Sequence, residues 1–385
     1  MRILVIGPHP TTQPPIPLLV KRMVNGLEQL GCKVETVHYG RHRLGESLKT
    51  KVVERSLEAG KMLPLLRRSH FDAVILNTSH DWRALLRDLP LILTLKLNHV
   101  PYTFIYHGTV ATKLLSGSGI KHGLYKGMFG LRLRLAAGVF VLAWSEEQAL
   151  RQLWPKCGVA TVRLPFVPMS RQKTVVTKKA KNVEPKILYV GRLIREKGSL
   201  DLLHAFRAVA ATKSCQLQIV GDGPVAQEAR SLAQELGIQD RVTFAGHLDQ
   251  EAVSEALNSA DLFVFPTYYS EGFPVAILEA MGAGLPVVTT RVAGLVDWLE
   301  EGKNAHFVQP KEPAALAEQI VMLLGDEKLR RRMGRANRDL VKSFEPVAAM
   351  NEYLEHIQQW ARPGRQGEDA ASEPAPMASE KAGTI

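Results

Sequence analysis

The chain has 385 residues, 45% of them hydrophobic and 23% charged, and a net charge of +11. This length exceeds that of one ordinary domain, so we expect two domains. Three scattered cysteines provide neither a disulfide framework nor metal-ligand spacing, which excludes a disulfide-stapled secreted domain. The longest apolar stretches, Leu89–Leu97 and Ala136–Trp144, fall well short of the roughly 20 residues that span a bilayer. The N-terminus lacks the apolar region and cleavage site of a signal peptide, so we expect a cytoplasmic protein.

The positive charge is concentrated in the first half of the chain. Residues 1–170 carry 23 Lys and Arg against 10 Asp and Glu, whereas residues 186–345 carry 18 against 21. Such an excess is expected to attract an anionic lipid surface, a polyanion or a phosphorylated substrate. A solubilising surface charge explains it equally well. An anionic membrane surface is therefore one expected partner, which would place the protein at the inner face of the membrane.

Short apolar runs alternate with amphipathic stretches along the whole chain. The runs predicted as buried strands are Ile3–Ile6, Ala73–Leu76, Tyr102–Tyr106, Val139–Ala143, Ile187–Val190, Leu217–Val220, Leu262–Phe265 and Val287–Thr289. Predicted helices over Pro17–Leu30 and Ala226–Leu236 each end at a glycine, a common helix C-terminal signal. This alternation predicts an α/β fold with two Rossmann-like domains and a cleft between them.

The domain limits follow from composition. Residues 171–185 are polar and basic with no apolar period, which predicts a linker between an N-terminal domain (1–170) and a C-terminal domain (186–345). A helix over Val347–Trp360, within residues 346–362, is expected to cross back to the first domain. Residues 364–385 lack aromatic side chains and are rich in small and polar residues, which predicts a disordered tail.

A basic loop follows the first strand of the second domain. The strand ends at Gly191, and Arg192 and Lys197 then precede a helix predicted from about Ser199. A guanidinium, an ammonium and the free amides of a helix N-terminus can together bind a diphosphate. A turn with solvated basic side chains is the alternative explanation.

A second motif surrounds an apolar helix, and Pro274 suits the first helical position, where its absent amide costs nothing. The helix carries one carboxylate, Glu279, and Glu271 lies in the loop ahead of it. An unpaired buried carboxylate needs hydrogen-bond donors, and the two hydroxyls of a ribose would supply them. The free amides of Phe273–Ala276 would face the same ligand. The alternative is that Glu279 pairs internally with an arginine.

In this order the motifs resemble the retaining GT-B glycosyltransferases of family four, the group 1 glycosyl transferases. The resemblance covers nearly the whole chain and is most specific from Tyr189 to Val308. It is carried by the paired glutamates Glu271 and Glu279 and by a series of short motifs: Gly191-Arg192, Lys197-Gly198, Gly221-Asp222-Gly223-Pro224, Gly246-His247 and Gly284-Leu285-Pro286.

The resemblance implies a role for each matched position. Arg192 and Lys197 would hold the donor diphosphate and stabilise it as it leaves. Glu279 would bind the ribose, and Glu271 would lie beside the transferred sugar. Further donor contacts are implied for Gly7, Gly191, Gly223, Gly246, His247, Leu248, Gly272, Phe273, Pro274, Val275 and Ala276.

A histidine of the first domain matches the residue that faces the reacting carbon in this family. His107 follows the apolar run Tyr102–Tyr106 and precedes a glycine, so it can point into the cleft. A structural histidine satisfied by backbone groups is the alternative. His9 and His80 also follow strand ends and are weaker candidates.

The chain departs from the family after its first strand. Many members carry paired glycines there, whereas this chain has only Gly7 within a proline-rich loop over residues 7–17. No Asp-x-Asp pair, which would hold a divalent metal on the diphosphate, occurs in the sequence. We therefore expect no cofactor and no required metal, with Arg192 and Lys197 supplying the charge.

The sequence thus predicts a glycosyltransferase that moves a hexose-type sugar from a UDP- or GDP-sugar to an acceptor hydroxyl with retention. A glycan or lipid-linked glycan of the cell envelope, or a polysaccharide, is the expected acceptor. A nucleotide-sugar epimerase-like enzyme is one alternative. A basic nucleic-acid-binding protein is another, although no recognition module supports it.

Overall fold

The computed structural model describes residues 1–9, 16–39, 57–79, 81–108, 114–115, 117–168, 184–269, 272–292 and 294–361. The predicted linker and the predicted tail lie almost entirely outside these residues. Within the described segments, no helix combines the length and the apolar character needed to cross a bilayer.

The first half of the chain forms a six-stranded sheet in which every paired neighbour is parallel, in the order β2-β1-β3-β4-β5-β6. Its strands are β1 (Arg2–Gly7), β2 (Lys33–His38), β3 (Ala73–Thr78), β4 (Tyr102–Tyr106), β5 (Gly138–Val141) and β6 (Val159–Thr161). Its helices are α1 (Ile16–Gln29), α2 (Leu63–Arg68), α3 (Trp82–Leu97), α4 (Ile120–Leu135) and α5 (Trp144–Leu153).

The second half repeats this architecture with a parallel sheet in the order β12-β11-β10-β7-β8-β9. Its strands are β7 (Lys186–Val190), β8 (Gln216–Val220), β9 (Val242–Gly246), β10 (Leu262–Phe265), β11 (Val287–Thr290) and β12 (Ala305–Val308). Its helices are α6 (Ser199–Thr212), α7 (Ala226–Glu235), α8 (Gln250–Ser259), α9 (Val275–Ala283), α10 (Leu295–Trp298), α11 (Pro313–Gly325) and α12 (Glu327–Lys342). A last helix, α13, covers Pro346–Ala361.

Helices cover both faces of the first sheet. Alternate residues of β1, such as Leu4 and Ile3, belong to different apolar clusters. The Leu4 cluster contains buried residues of α3 and α4, whereas the Ile3 cluster contains residues of α1 and α13. Both faces of a parallel sheet must be covered in this way, which explains why its inner strands are apolar throughout.

The last helix returns to the first sheet, as predicted. Helix α13 packs on α1, where a Cβ at Gly26 would lie 2.8 Å from the Met350 side chain. Tyr353 is fully buried against Phe140 of β5, with ring centroids 4.5 Å apart. The C-terminal helix therefore completes the core of the N-terminal sheet.

Candidate functional site

Three glycine-bearing loops meet at the carboxyl ends of β7, β8 and β9. The amide of Gly191 donates to the carbonyl of Val220 at 3.0 Å, and the amide of Gly221 donates to the carbonyl of Gly246 at 2.7 Å. A Cβ at Gly221 would overlap the carbonyl oxygen of Gly191, and one at Gly223 would overlap that of Leu193. The loops therefore pack backbone against backbone, and side chains are excluded between them.

The basic loop and the loop after β10 are in direct contact. Residues Arg195–Lys197 form a single 3₁₀ turn, and the carbonyl of Glu196 accepts a hydrogen bond from the amide of Tyr268 at 2.7 Å. Gly198 has a left-handed backbone (φ 74°), and a Cβ there would overlap the carbonyl of Pro266. Two motifs that lie about 70 positions apart in the sequence thus form one structure.

The Lys197 ammonium lies near two aromatic rings, one at the end of β10 and one in the loop that follows it. Its Nζ is 5.1 Å from the centroid of Phe265 and 5.0 Å from that of Tyr269. Cation–π contacts of this kind hold a lysine side chain in place. Tyr269, which sequence reasoning did not identify, is therefore part of the Lys197 environment.

The other basic residues of the loop differ in their surroundings. Arg192 is exposed, and its side chain donates no hydrogen bond to a residue that the structure describes. Arg195 is also exposed, but one of its terminal nitrogens donates to both carboxylate oxygens of Glu228, at 2.7 and 2.8 Å. Arg192 can therefore meet a ligand without first breaking an ion pair.

Helix α9 begins one residue later than expected. Pro274 was predicted at the first helical position, but the structure places it at the N-cap, and Val275 is the first helical residue. Phe273 and Pro274 are buried, whereas Val275 and Ala276 are partly exposed. The first free amides of the helix therefore belong to Val275 and Ala276.

Glu279 is half-buried and accepts no hydrogen bond from a described residue. Burial raises its pKa to about 7, and the nearby Arg22 guanidinium of α1 counteracts part of that rise. Arg22 is buried to 6% exposure and stacks on Phe166 at 5.0 Å, and burial lowers its pKa. The predicted alternative, an internal pair with an arginine, is thus present as a charge interaction without a hydrogen bond.

The loop after β10 also contacts the first sheet. A Cβ at Gly272 would lie 2.6 Å from Cβ of Leu142, the residue after β5. The backbone amide of Trp144 donates to Asp297 at 2.6 Å, and Nε1 of Trp298 donates to the carbonyl of Leu142 at 3.1 Å. The carboxyl end of β5 therefore abuts the loop after β10 and helix α10, which follows β11.

His107 lies at the carboxyl end of β4, where its Nε2 is 3.1 Å from Oδ1 of Asn77 on β3. Asn77 is 6% exposed, and its Nδ2 donates to the carbonyl of Ile6 on β1 at 3.3 Å. This bond turns Oδ1 toward the imidazole, so Nε2 must carry the ring proton. The buried Nδ1 has no partner among the described residues, and burial lowers the His107 pKa to about 4.

The remaining predicted residues fall in different places. Gly7 ends β1, and a Cβ there would lie 2.8 Å from Val20 of α1, so close helix packing alone requires a glycine. His247 is exposed and Leu248 partly buried, beside Gly246. Glu271 and His80 lie outside the described residues. His9 packs edge-on against His38, with ring centroids 5.3 Å apart.

Arg22 and Asn77 were missed because no local pattern marks them. Arg22 lies within an amphipathic helix, and Asn77 is one polar residue near the end of an apolar strand. An arginine on the buried stripe of a helix is the one signal that could have identified Arg22. Among the described residues, no group of three His, Cys, Asp or Glu side chains is placed to hold a metal ion.

Comparison with known proteins places residues 170–340 under the family model "Glycosyl transferases group 1". The chain is 30% identical over 171 residues to the N-acetyl-alpha-D-glucosaminyl L-malate synthase of Bacillus anthracis, covering 44% of each chain. It is 32% identical over 161 residues to the phosphatidyl-myo-inositol mannosyltransferase of Mycobacterium leprae, covering 41% of this chain and 42% of that one. These matches span less than half the length of either relative.

Solved structures match over a longer part of the chain. Anabaena HepE, crystallised with UDP, superimposes with a TM-score of 0.70 at 16% identity, covering 93% of this chain and all of that one. This likeness shows the fold: the chain has the predicted GT-B architecture of two Rossmann-like domains.

Proposed function

We propose that the chain is a glycosyltransferase, because the family model "Glycosyl transferases group 1" matches residues 170–340. It would move a hexose-type sugar from a nucleotide-diphosphate donor to an acceptor hydroxyl. The observation that carries this proposal is the contact between the Arg195–Lys197 turn and the loop after β10. That contact brings an immobilised ammonium close to the loop that leads into α9 and Glu279.

In the proposed mechanism the protein stabilises charge on the leaving diphosphate. Lys197 and Arg192 would neutralise the phosphate oxygens, and the first amides of α9 would add donors to them. Glu279 would accept from the ribose hydroxyls, and ligand binding would give this carboxylate the donors that it lacks in the free protein. Backbone groups of Gly223 and of the Gly246-His247-Leu248 turn would line the base site. Gly191, which lacks a side chain, would let the diphosphate approach the backbone.

On the acceptor side, we propose that His107 faces the reacting carbon and Glu271 lies beside the transferred sugar. The imidazole would be neutral, with Nε2 donating to Asn77 and the lone pair on the buried Nδ1. Transfer would proceed with retention by attack on the face that the diphosphate leaves. No required metal enters this scheme, because the two cations supply the charge.

The acceptor we propose is a cell-envelope glycolipid or polysaccharide, reached from the cytoplasmic side. Its support is the basic first half of the chain and the likeness to a mannosyltransferase whose name specifies phosphatidyl-myo-inositol. The same relative is similar to this chain over only 161 residues, so the acceptor is proposed as a class.

A thermal-shift screen of UDP-, GDP- and ADP-sugars tests the donor half of the proposal. One donor family should raise the melting temperature with a saturating concentration dependence. Incubation of that donor with acceptor extracts should then yield a product whose anomeric configuration, read by NMR, matches the donor. Indifference to every nucleotide sugar would contradict the proposal, and an inverted product would contradict retention.

A further inference from the structure

Helix α3 presents a continuous apolar stripe to solvent. Trp82, Leu86, Leu93 and Leu97 are exposed to 50%, 37%, 56% and 79%. Their spacing places them on one side of the helix, opposite the buried residues Leu91 and Leu95. An ordinary surface helix would carry polar residues at these positions, so the helix is apolar on both its buried and its outer side.

Helix α4 repeats the pattern. Ile120, Leu124 and Leu131 are exposed to 93%, 66% and 52%, and they follow the same i, i+4, i+11 spacing as Trp82, Leu86 and Leu93. On the opposite side of the helix, Phe129 and Leu133 are buried. Two neighbouring helices therefore share the same arrangement.

The two stripes lie on the same surface of the molecule. Helices α3 and α4 contact each other, and their buried residues belong to the apolar cluster on one face of the first sheet. Helices α1 and α13 cover the opposite face. The outward sides of α3 and α4 therefore form one surface, the α3–α4 face, which is defined by the seven exposed apolar residues named above.

The charges that flank the stripes are positive. Arg83 and Lys96 are exposed on α3, and Lys121 and Arg134 are exposed on α4. The only carboxylate within either helix, Asp88, is buried and paired with Arg132 at 2.7 Å.

A second acid, Asp81, precedes α3 and accepts from the amides of Arg83 and Ala84 as its N-cap. Exposed leucines between lysines and arginines are the composition of a surface that enters the headgroup region of an anionic bilayer. A tryptophan at one end of the stripe also suits the membrane interface.

One end of the α3–α4 face lies at the same edge of the first sheet as His107. In a parallel sheet the connecting helices run opposite to the strands, so α3 and α4 begin at the carboxyl edge of the sheet. His107 lies at that same edge, at the end of β4. The first turns of both helices, with Trp82 and Ile120, are therefore on the cleft side of the domain.

We propose that the α3–α4 face binds an anionic lipid bilayer and holds the mouth of the cleft beside an acceptor carried in that bilayer. The placement of the cleft beside an acceptor rests on the proposed function, whereas bilayer binding is independent of sugar transfer. The partner is a lipid surface with net negative charge.

Vesicle flotation of the full chain tests the proposal. One set of vesicles contains phosphatidylcholine alone, and in the other about one lipid in three is the anionic phosphatidylglycerol. We expect binding to the anionic vesicles that weakens as salt is raised. Leu93→Ser with Leu97→Ser should lower the partition coefficient roughly tenfold or more. Lys96→Glu with Lys121→Glu should lower it by at least about fivefold for each lysine.

Matched controls come from the second domain. Met322→Ser on α11, where the side chain is 40% exposed, makes one apolar-to-serine change elsewhere on the surface, and Lys328→Glu on α12 makes one lysine-to-glutamate change. Both should bind vesicles as the parent does. Every variant should show the same donor-induced rise in melting temperature as the parent protein. If the parent itself shows no such rise, that result counts against the proposed function and leaves the proposal of bilayer binding unaffected.

Three outcomes would overturn the proposal: binding indifferent to lipid charge, equal loss in the control variants, or vesicle binding that survives both α3–α4 variants. A change of oligomeric state in Leu93→Ser with Leu97→Ser, without a change in vesicle binding, would assign the face to contacts between copies of the chain. Binding of RNA that the same substitutions abolish, with vesicle binding retained, would assign it to a nucleic acid.

Discussion

Nε2 of His107, the residue after β4, lies 3.1 Å from Oδ1 of Asn77 on the neighbouring strand β3. Asn77 is itself fixed by the bond from its Nδ2 to Ile6 on the next strand. A relay across three strands thus sets the imidazole tautomer and leaves Nδ1 as the acceptor. The asparagine acts through the histidine, so its role is to position His107.

Asn77→Asp tests this relay. A carboxylate beside Nε2 stabilises the imidazolium, so the pKa of His107 should rise from about 4 by one unit or more. An NMR titration of the ring protons measures the shift, and signals of the exposed His247 in the same spectra serve as the control. An unchanged titration of His107 would show that Asn77 does not contact the ring.

The same burial predicts a pH dependence of stability. The folded-state pKa of His107, about 4, is below its ordinary value of 6.5, so the unfolded chain takes up a proton first as the pH falls. Stability is therefore lost between about pH 6.5 and pH 4, by about 2.5 kcal/mol at pH 4.5 from this residue. Between pH 7.5 and pH 4.5, the His107→Gln variant should therefore lose about 2.5 kcal/mol less stability than the parent protein. Urea unfolding at these two pH values measures the difference. Equal losses in the two proteins would contradict the buried, neutral histidine.

Lys197→Ala should lower kcat by about 10²–10³ while the fold is retained, because the leaving diphosphate loses a fixed positive charge. Arg195→Ala is the matched control: it removes a cation from the same turn, but one already paired with Glu228. That variant should keep kcat within about threefold, since an exposed ion pair contributes little. Initial rates at saturating donor measure both. Near-normal turnover in Lys197→Ala would remove this ammonium from the mechanism.

Metal independence is tested by the same assay. Activity should be unchanged after dialysis against EDTA and on later addition of Mg²⁺ or Mn²⁺, because the two cations are proposed to carry the charge that a metal would supply. A loss of turnover restored by either ion would contradict that proposal. Circular dichroism before and after dialysis controls for unfolding.

The strands illustrate what sequence alone can predict. All eight strands predicted from apolar runs are the four inner strands of each sheet, and the structure extends most of them by one or two residues. The four strands absent from that prediction, β2, β6, β9 and β12, are the edges of the two sheets. Residues 33–38 of β2 are exposed or half-buried, and no continuous apolar run marks them. An inner strand is buried on both faces and leaves a strong signal, whereas an edge strand does not.

The site divides in a similar way. Glycines that the backbone requires, such as Gly198 and Gly221, can be recognised from the sequence. A Cβ at either position would overlap a neighbouring carbonyl. Arg22 became visible only in the fold, because its neighbours Phe166 and Glu279 are more than a hundred residues away in the chain. Contacts between distant segments depend on how the two sheets pack, which local periodicity does not encode.

Glu279 links donor binding to protonation. Its pKa of about 7 means that about half of the free protein carries a proton on this carboxyl at pH 7. Ribose hydroxyls that donate to the carboxylate favour its charged form, so donor binding should release about half a proton per site at that pH. Calorimetry in buffers of different ionisation enthalpy measures the release. Glu279→Gln should abolish it, and Arg22→Ala should increase it, because the Arg22 charge holds the pKa of Glu279 down.

The Glu279 carboxylate, which is proposed to bind the donor, is also expected to destabilise the folded protein as the pH rises. Its folded-state pKa is above the ordinary value of 4.5, so stability falls as the pH rises from 4.5 through 7 and stays low above that. Glu279→Gln should therefore raise the free energy of unfolding at pH 8 by up to about 3 kcal/mol and change it little at pH 4. Donor binding in the same variant should weaken, as expected of a group kept for function at a cost in stability. A variant that gains no stability at pH 8 would show that the carboxylate is already satisfied in the free protein, and one that still binds donor normally would remove Glu279 from the ribose site.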